Sequence, residues 1–504
     1  SIFMENILRL IERSSNLYPN KIFLRDINKE LNLTYKRTLD FIYKLNDYFF
    51  NNKIKKKEKI IVVFDNSILL SLLFLGITST NRVFVPVNPD IGKYEFLNIL
   101  KTSGAKILII DENYKKKFSK LFKNKTINIK NHLEFVNNIL ARKNKKINKR
   151  FSGLCEILYT SGSTGNPKGV MLTHQSILAN INGLEKSLNL KKFKNFLAIT
   201  PLFHNNGQFI PTLLSIKTYG TSLPVNSKTS VIIFWDLVKE FKINYSSVMA
   251  THISYLLKTS KKIKGHYLTG LFCGGAKLDT NTQKKFEKKF AVKIACNYGL
   301  TETSSIVATE SLNKVKINGS VGKPLYNNKI KIINKDKVRK GLGEIIVSGK
   351  NIFDGYIKNK IKTNQVLKKN WLYTGDLGKF DNKGNLYIHE RKDNMIVVSG
   401  ENIFPTEIEK FVNNHKKIKF SVVVPVEDKI TQNKLVLIYE TKLKISEEEL
   451  FDFLHKKISV YKIPKIALNC KKIGLNEIPK ASNGKILRKK IINYTNNFFK
   501  YKKL

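Results

Sequence analysis

Two hydrophobic rhythms alternate along the chain. Short apolar runs at 60–64, 84–87 and 106–110 read as buried strands bounded by turn residues. Helical spacing fills the gaps at 37–50, 67–80 and 93–102. Strands separated by helices of this length predict parallel α/β units. The alternation resumes beyond 171, with strand ends expected at 197–200, 246–249, 268–273 and 292–295. From 317 to 390 the rhythm changes. Runs at 329–333, 344–348 and 385–389 are separated by Gly, Asn and Asp, which predicts hairpins and a small β subdomain. After Arg391 a separate module reads as strand 395–398, helix 405–414, strands 420–424 and 434–440, helix 446–458, then a strand and a basic tail.

A chain of 504 residues exceeds one ordinary core, so two or more domains are expected. The formal net charge of +51 suggests nucleic acid at first sight. Of the 90 basic residues, however, 80 are Lys and ten are Arg, spread along the whole length. A reader of base edges concentrates Arg and aromatics on one face, so no specific nucleic-acid partner is expected. The basic stretch Arg142 to Arg150 reads as an exposed connector. Cys155, Cys273, Cys296 and Cys470 are far apart and have no metal spacing, which points to a reducing compartment. The run from Ile68 to Ile77 is too short to span a bilayer. The first residues lack a secretion-signal pattern, and Ile7 to Ile11 reads as a small surface-packed helix. Cytoplasm is the expected location.

The densest chemistry lies between Tyr159 and Gly169. Thr160, Ser161, Ser163 and Thr164 offer hydroxyls, Gly162, Gly165 and Gly169 admit close backbone approach, and Lys168 supplies charge. Such a loop can wrap phosphate oxygens. Its spacing is not that of the common P-loop, and no kinase catalytic loop accompanies it. A second segment runs from Asn297 to Thr303. There Tyr298 can stack on a flat base, Thr301 can donate to phosphate, and Glu302 can hold Mg²⁺. A third, Tyr373 to Asp376, is expected to place Asp376 just after a tight turn, where it can accept from ribose hydroxyls. Arg391 is one of three arginines after position 150 in a chain that otherwise uses Lys, which suggests a need for forked donors. Lys485 gains no distinction from charge alone. His174 reads as a helix-start residue. His204 follows a strand and reads as a packed histidine or a pocket-wall gate.

Together, in this order, these segments resemble the adenylate-forming superfamily of acyl- and aryl-CoA ligases, luciferase-like enzymes and amino-acid-activating domains. The resemblance covers nearly the whole chain. It implies an α/β multi-lobed N-terminal domain with a β subdomain over 1–390, a hinge at 391–394, and a small mobile α+β domain over 395–504. It implies two steps: a carboxylate attacks MgATP to give acyl-AMP and pyrophosphate, and a thiol then takes the acyl group. By resemblance, Thr160 to Lys168 hold pyrophosphate. Gly274, Gly275, Ala276, Asn297, Tyr298 and Gly299 line the adenine and acyl sites. Thr301 binds phosphate, Glu302 the metal, and Asp376 and Arg391 the ribose. Lys485 bridges the two reacting anions, where a cation offsets their repulsion. Rotation at Asp393 would withdraw Lys485 and present Ser399, Gly400 and Glu401 beside the thiol tunnel. The family often has glycine where Ser399 stands, and Glu390 replaces a usual glycine, with little effect expected. A degenerate, non-catalytic member would lack Thr160, Glu302, Asp376, Arg391 or Lys485, and all are present.

The residue after Phe203 is His204, where amino-acid-activating domains have an Asp for the substrate ammonium. The implied substrate is therefore a small or medium, polar carboxylic acid. Asn205, Asn206 and Gln208 would suit it if they face the pocket. His204 resembles the gate between the acyl pocket and the thiol tunnel. Coenzyme A is the expected acceptor. The phosphopantetheine arm of an acyl carrier protein is the alternative, and another acceptor is a third reading. A monomer or homodimer is expected.

Overall fold

The apolar run at Ile68 forms a buried core helix. All 12 residues of Ile68–Ser79 are buried, as a helix apolar on every side requires. It contacts the helices Ile7–Leu17 and Tyr35–Asn51 and one strand from each of two large sheets. A Cβ on Gly76 would overlap the Leu45 side chain, so this glycine sets the close crossing of two helices. Helix Ile7–Leu17 is more deeply docked than expected: Ile7, Leu8 and Ile11 are fully buried.

The computed structural model describes residues 5–502 except 161–166, 228, 314–316, 335–336, 339–340, 399–400, 429–431, 457, 459–461 and 482–483. The chain forms two compact units. One comprises Ser1–Lys331, Ile346–Thr374 and Phe380–Tyr387, the other Ile332–Ile345, Gly375–Lys379 and Ile388–Leu504.

In the first unit, a six-stranded sheet runs in space as Lys125–Ile129, Ile107–Asp111, Lys59–Val63, Val83–Pro86, Leu154–Thr160 and Lys168–Thr173. All but the last pairing are parallel. A nine-stranded sheet runs Lys323–Pro324, Ser305–Thr309, Lys293–Leu300, Gly270–Cys273, Tyr245–Val248, Asn195–Ala198, Thr221–Pro224, Ile22–Leu24 and Leu33–Thr34. Each sheet has a point where the strand order reverses. In one, Lys59–Val63 lies between Val83–Pro86 and Ile107–Asp111. In the other, Asn195–Ala198 lies between Thr221–Pro224 and Tyr245–Val248. Ligands of such sheets bind beyond the carboxyl ends of the strands at these points.

Residues 317–390 contain the expected short strands, among them Lys329–Asn334, Gly343–Ser348 and Leu386–Arg391. The tight turn expected before Asp376 is absent. Tyr373 to Asp376 lie inside the ten-residue strand Trp371–Phe380, where exposure alternates residue by residue. Gly375 adopts φ +73° within it, a local irregularity that only glycine enters easily.

The second unit matches the expected α+β pattern. Ile418–Asp428 and Gln432–Thr441 form an antiparallel hairpin, and Ile466–Asn469 joins it in parallel. Helices Pro405–Asn413, Glu447–His455 and Arg488–Lys502 accompany this sheet. Alternate residues of its strands feed two separate apolar clusters, one containing Val423 and Leu437, the other Val422 and Ile438.

Candidate active site

The glycine- and hydroxyl-rich segment joins two antiparallel strands. Tyr159 pairs with Gly169 and Thr160 with Lys168. Ser161, Gly162, Ser163, Thr164 and Gly165 lie outside the described residues. A Cβ on Gly169 would press on Ile357, Ile157 and the Tyr159 ring, so the strand must carry glycine there.

Residues 353–357 connect this hairpin to Glu302. The Met171 amide donates to Gly355 O at 3.0 Å, Asp354 N to Met171 O at 2.9 Å, and Ile357 N to Gly169 O at 2.9 Å. Phe353 N donates to Glu302 O at 2.9 Å. The Tyr356 hydroxyl then donates to Glu302 Oε1 at 2.7 Å, and Lys168 Nζ lies 5.6 Å from the centre of the Tyr356 ring. Thr301 and Glu302 share a single 3₁₀ turn. Thr160, Lys168, Thr301 and Glu302 are thus brought together. Tyr356 is the residue that sequence reasoning missed, since a lone tyrosine after a turn glycine carries no local signal.

Asn297 to Leu300 form the end of the strand Lys293–Leu300. Gly299 abuts the Ser305 carbonyl of the antiparallel neighbour with no room for a Cβ. Tyr298 is buried. Gly274 is packed against the side chains of Asn297 and Asn206 so closely that a Cβ would collide with both. Gly275 follows at φ +83°. The segment 274–276, Asn297 and the loop after Phe203 therefore meet.

That loop begins at the reversal point of the nine-stranded sheet. Asn66, at the reversal point of the other sheet, holds it. Its Nδ2 donates to Ala198 O at 3.2 Å and Thr200 O at 3.0 Å, and its Oδ1 accepts from Leu202 N at 2.8 Å. His204 as a residue is half-buried, but its Nε2 is sealed from solvent and unpartnered among the described residues. Burial pushes its pKa down to about 4, so the ring is neutral at pH 7. Gln208 does not fit the picture of a pocket donor. Its Nε2 donates to Glu156 Oε1 at 2.7 Å and to Leu202 O at 2.8 Å in the interior. Burial pushes the Glu156 carboxyl up to about 8, against the Gln208 hydrogen bond.

In the second unit, Arg391 Nη1 donates to Asp376 Oδ1 at 2.9 Å, and Arg391 Nη2 lies 3.9 Å from Asp393. Glu390 is more engaged than expected. Its Oε1 accepts from Arg391 N at 3.1 Å and Asn394 Nδ2 at 3.0 Å, and its Oε2 from Thr406 N at 3.2 Å. Lys485 has an exposed side chain on a loop closed by the Lys480–Ile486 bridge. Ser399 and Gly400 lie outside the described residues. The backbone of Glu401 pairs with Val398.

Among the described residues no cluster of three metal-ligating side chains exists. Mg²⁺ is commonly held by one or two carboxylates with phosphate oxygens and water. Glu302 has the chemistry for that, with Tyr356 fixing one of its oxygens.

A chain with this fold and these motifs is an adenylate-forming enzyme. Residues 11–357 match the AMP-binding enzyme family, and the chain belongs to that family, among its acyl-CoA synthetase-like, AMP-forming members. It is 28% identical over 501 residues to a 2-succinylbenzoate–CoA ligase of Bacillus cereus (strain AH820), covering 97% of this chain and 98% of that enzyme. Among solved structures, the o-succinylbenzoate CoA synthetase MenE of Bacillus subtilis with its acyl-adenylate superposes with a TM-score of 0.84 at 24% identity, covering 96% of this chain and 97% of that one. ATP-bound MatB of Rhodopseudomonas palustris gives 0.89 at 19% identity, covering 98% and 100%. Both structural likenesses establish the fold. No helix among the described residues is long and apolar enough to cross a membrane.

Proposed function

We propose that this protein joins 2-succinylbenzoate, a polar dicarboxylic acid, to coenzyme A through an acyl-adenylate. The hydrogen bond from Tyr356 to Glu302 carries the adenylating half of the reading, because it fixes a carboxylate beside a hairpin suited to phosphates. The acid and the acceptor follow from the names of the full-length relatives. Those names give no support to a carrier protein.

In the first step a carboxylate oxygen attacks the α-phosphorus, and the bond to the β-phosphate breaks to release pyrophosphate. Thr160 and Lys168 hold the leaving group with the segment between them. Glu302 would hold Mg²⁺ and Thr301 a phosphate oxygen. Mg²⁺ supplies neutralising charge when bound. Asp376, oriented by its bond from Arg391, accepts from the ribose hydroxyls. Lys485 bridges the carboxylate and the α-phosphate. In the second step the thiol loses its proton, its sulfur bonds to the acyl carbon, the acyl–phosphate C–O bond breaks, and AMP departs with that bond's electron pair. Neutral His204 presents an uncharged ring to this transfer. A pivot at 391–394, between domains 1–390 and 395–504, exchanges Lys485 for Ser399, Gly400 and Glu401.

Pyrophosphate release from MgATP tests the reading with 2-succinylbenzoate, benzoate, malonate and octanoate, each with no acceptor, with coenzyme A and with a pantetheinylated carrier. Release and a CoA thioester with 2-succinylbenzoate are expected. Turnover of a different acid, or turnover with the carrier alone, overturns the substrate or the acceptor.

A further inference from the structure

Helix Lys93–Ser103 touches both ends of the phosphate hairpin. Asn98 Nδ2 donates to Pro167 O at 2.9 Å, just after segment 161–166. Four residues on, Thr102 Oγ1 lies 2.8 Å from the Tyr159 hydroxyl, just before that segment. Positions i and i+4 stand above one another on one helix face, so a single stripe reaches both strands. The Thr102 hydroxyl donates to Asn98 O at 2.7 Å within the helix. Its one proton is thereby committed, and Tyr159 is the donor to Thr102. The Tyr159 hydroxyl also lies 3.5 Å from Ile99 O. Burial pushes its pKa up to about 12, so it keeps that proton.

On its other side Tyr159 is confined by Gly169, directly across the strand pair, where a Cβ would stand 3.0 Å from the ring. The helix itself has a fixed start and stop. Glu95 accepts from Gly92 N at 2.9 Å, and Gly104 ends the helix at φ +66°.

We infer that Asn98 and Thr102 are positioning residues for the nucleotide phosphates. They fix the separation and direction of the strand ends between which the phosphate-binding segment is strung. Neither touches the reacting atoms. The inference rests on the reading of Thr160 to Lys168 as the phosphate site.

The test is the dissociation constant of MgATP by equilibrium dialysis on the full chain, with no acid present, alongside the thermal midpoint. Asn98→Ala, Thr102→Val and Tyr159→Phe are each expected to weaken MgATP about fivefold, the scale of one lost hydrogen bond. The double variant Asn98→Ala/Thr102→Val should exceed either alone, and Thr102→Ser should restore wild-type affinity. The KM for the acid should stay within about twofold of wild type. Unchanged MgATP affinity in all three single variants overturns the inference alone. So does an equal rise in the KM of ATP and acid with a lowered midpoint, which marks a merely structural role. Wild-type protein that binds no MgATP overturns the adenylating reading and this inference together.

Discussion

Arg488 grips Glu409 with both arms of its guanidinium, Nη1 to Oε1 at 2.6 Å and Nη2 to Oε2 at 3.1 Å. The same two residues close on the backbone of one residue: Val423 N donates to Glu409 at 2.7 Å, and Arg488 donates to Val423 O at 2.6 Å. Burial pushes the Glu409 carboxyl up, and Arg488 opposes that shift. Burial also works against the charge on Arg488, but Glu409 more than offsets it and raises its pKa. The pair fastens the start of helix Arg488–Lys502, three residues beyond Lys485, to helix Pro405–Asn413.

Breaking it strands a buried charge. Arg488→Leu should destabilise the second unit by about 3–5 kcal/mol and reduce adenylation by displacing the loop of Lys485. Glu409→Leu/Arg488→Leu should recover much of the stability without recovering adenylation. A denaturant titration and an ATP–pyrophosphate exchange assay separate the two effects. Full exchange activity in Arg488→Leu would show that Lys485 does not depend on this anchor.

Asn66 joins the two reversal points of the first unit through three hydrogen bonds to residues 198–202. Asn66→Ala takes their hydrogen-bond partner from the Thr200 carbonyl and the Leu202 amide in a buried setting, while Ala198 O keeps Val225 N at 3.2 Å, at a cost of roughly 2–4 kcal/mol. The loop bearing His204 then loses its support. The KM for the acid should rise about tenfold, with the KM for ATP changed less than threefold. Steady-state kinetics with each substrate varied in turn checks the asymmetry.

The parts legible in the sequence are those with a local period. The strands near 60, 84 and 107 and the helices between them follow from runs of apolar residues that admit few other placements. The segment proposed to hold phosphate stands out in the sequence because hydroxyls, glycines and a lysine are crowded together. What escaped is long-range. Asn66 is one asparagine in an asparagine-rich chain, and its partners lie 132–136 residues away. Glu156 sits inside an apolar strand, where its pairing with Gln208, 52 residues on, has no local trace. Strand Thr221–Pro224 is fully buried, yet Thr, Ser and Pro disguise it as a turn. Gly375 suggested a turn for the same reason, although the strand around it supplies the alternation.

Buried ionisable groups give stability a defined pH profile. His174, His204 and His252 are depressed by burial to about 3, 4 and 4 from 6.5. Between those values and 6.5 the unfolded chain binds more protons, so stability is lost as pH falls through that window. Glu156 acts in the opposite sense. Its folded value of about 8 lies above the ordinary 4.5, so the stability tied to its proton is present below 4.5 and lost as pH rises toward 8. From 4.5 to 6.5 three histidines oppose two raised carboxyls, Glu156 and Glu409, and above 6.5 the carboxyl of Glu156 dominates. The maximum should therefore fall near pH 6.5. Glu156→Gln keeps a hydrogen-bonding partner for Gln208 and removes the titration. It should gain on the order of 3 kcal/mol over wild type at pH 8, with little gain at pH 5. Chemical denaturation at both pH values measures the difference, and equal gains would exclude a buried, protonated Glu156.

Glu390 tests how firmly the segment 391–394 is held within the second unit. One carboxylate oxygen takes Arg391 N and Asn394 Nδ2, and the other takes Thr406 N in the first turn of helix Pro405–Asn413. That helix starts without a side-chain cap of its own from Phe404, so Glu390 supplies what a capping residue would, with a negative charge suited to a helix N-terminus. Glu390→Gly removes all three contacts and adds backbone freedom beside them. A loss of about 1–2 kcal/mol is expected, together with faster tryptic cleavage after Lys392, whose side chain is already exposed. Glu390→Gln keeps acceptor capacity at one oxygen and should lie between wild type and Glu390→Gly in both measurements. Identical cleavage rates for all three proteins would mean that the bonds of Glu390 do not restrain the segment.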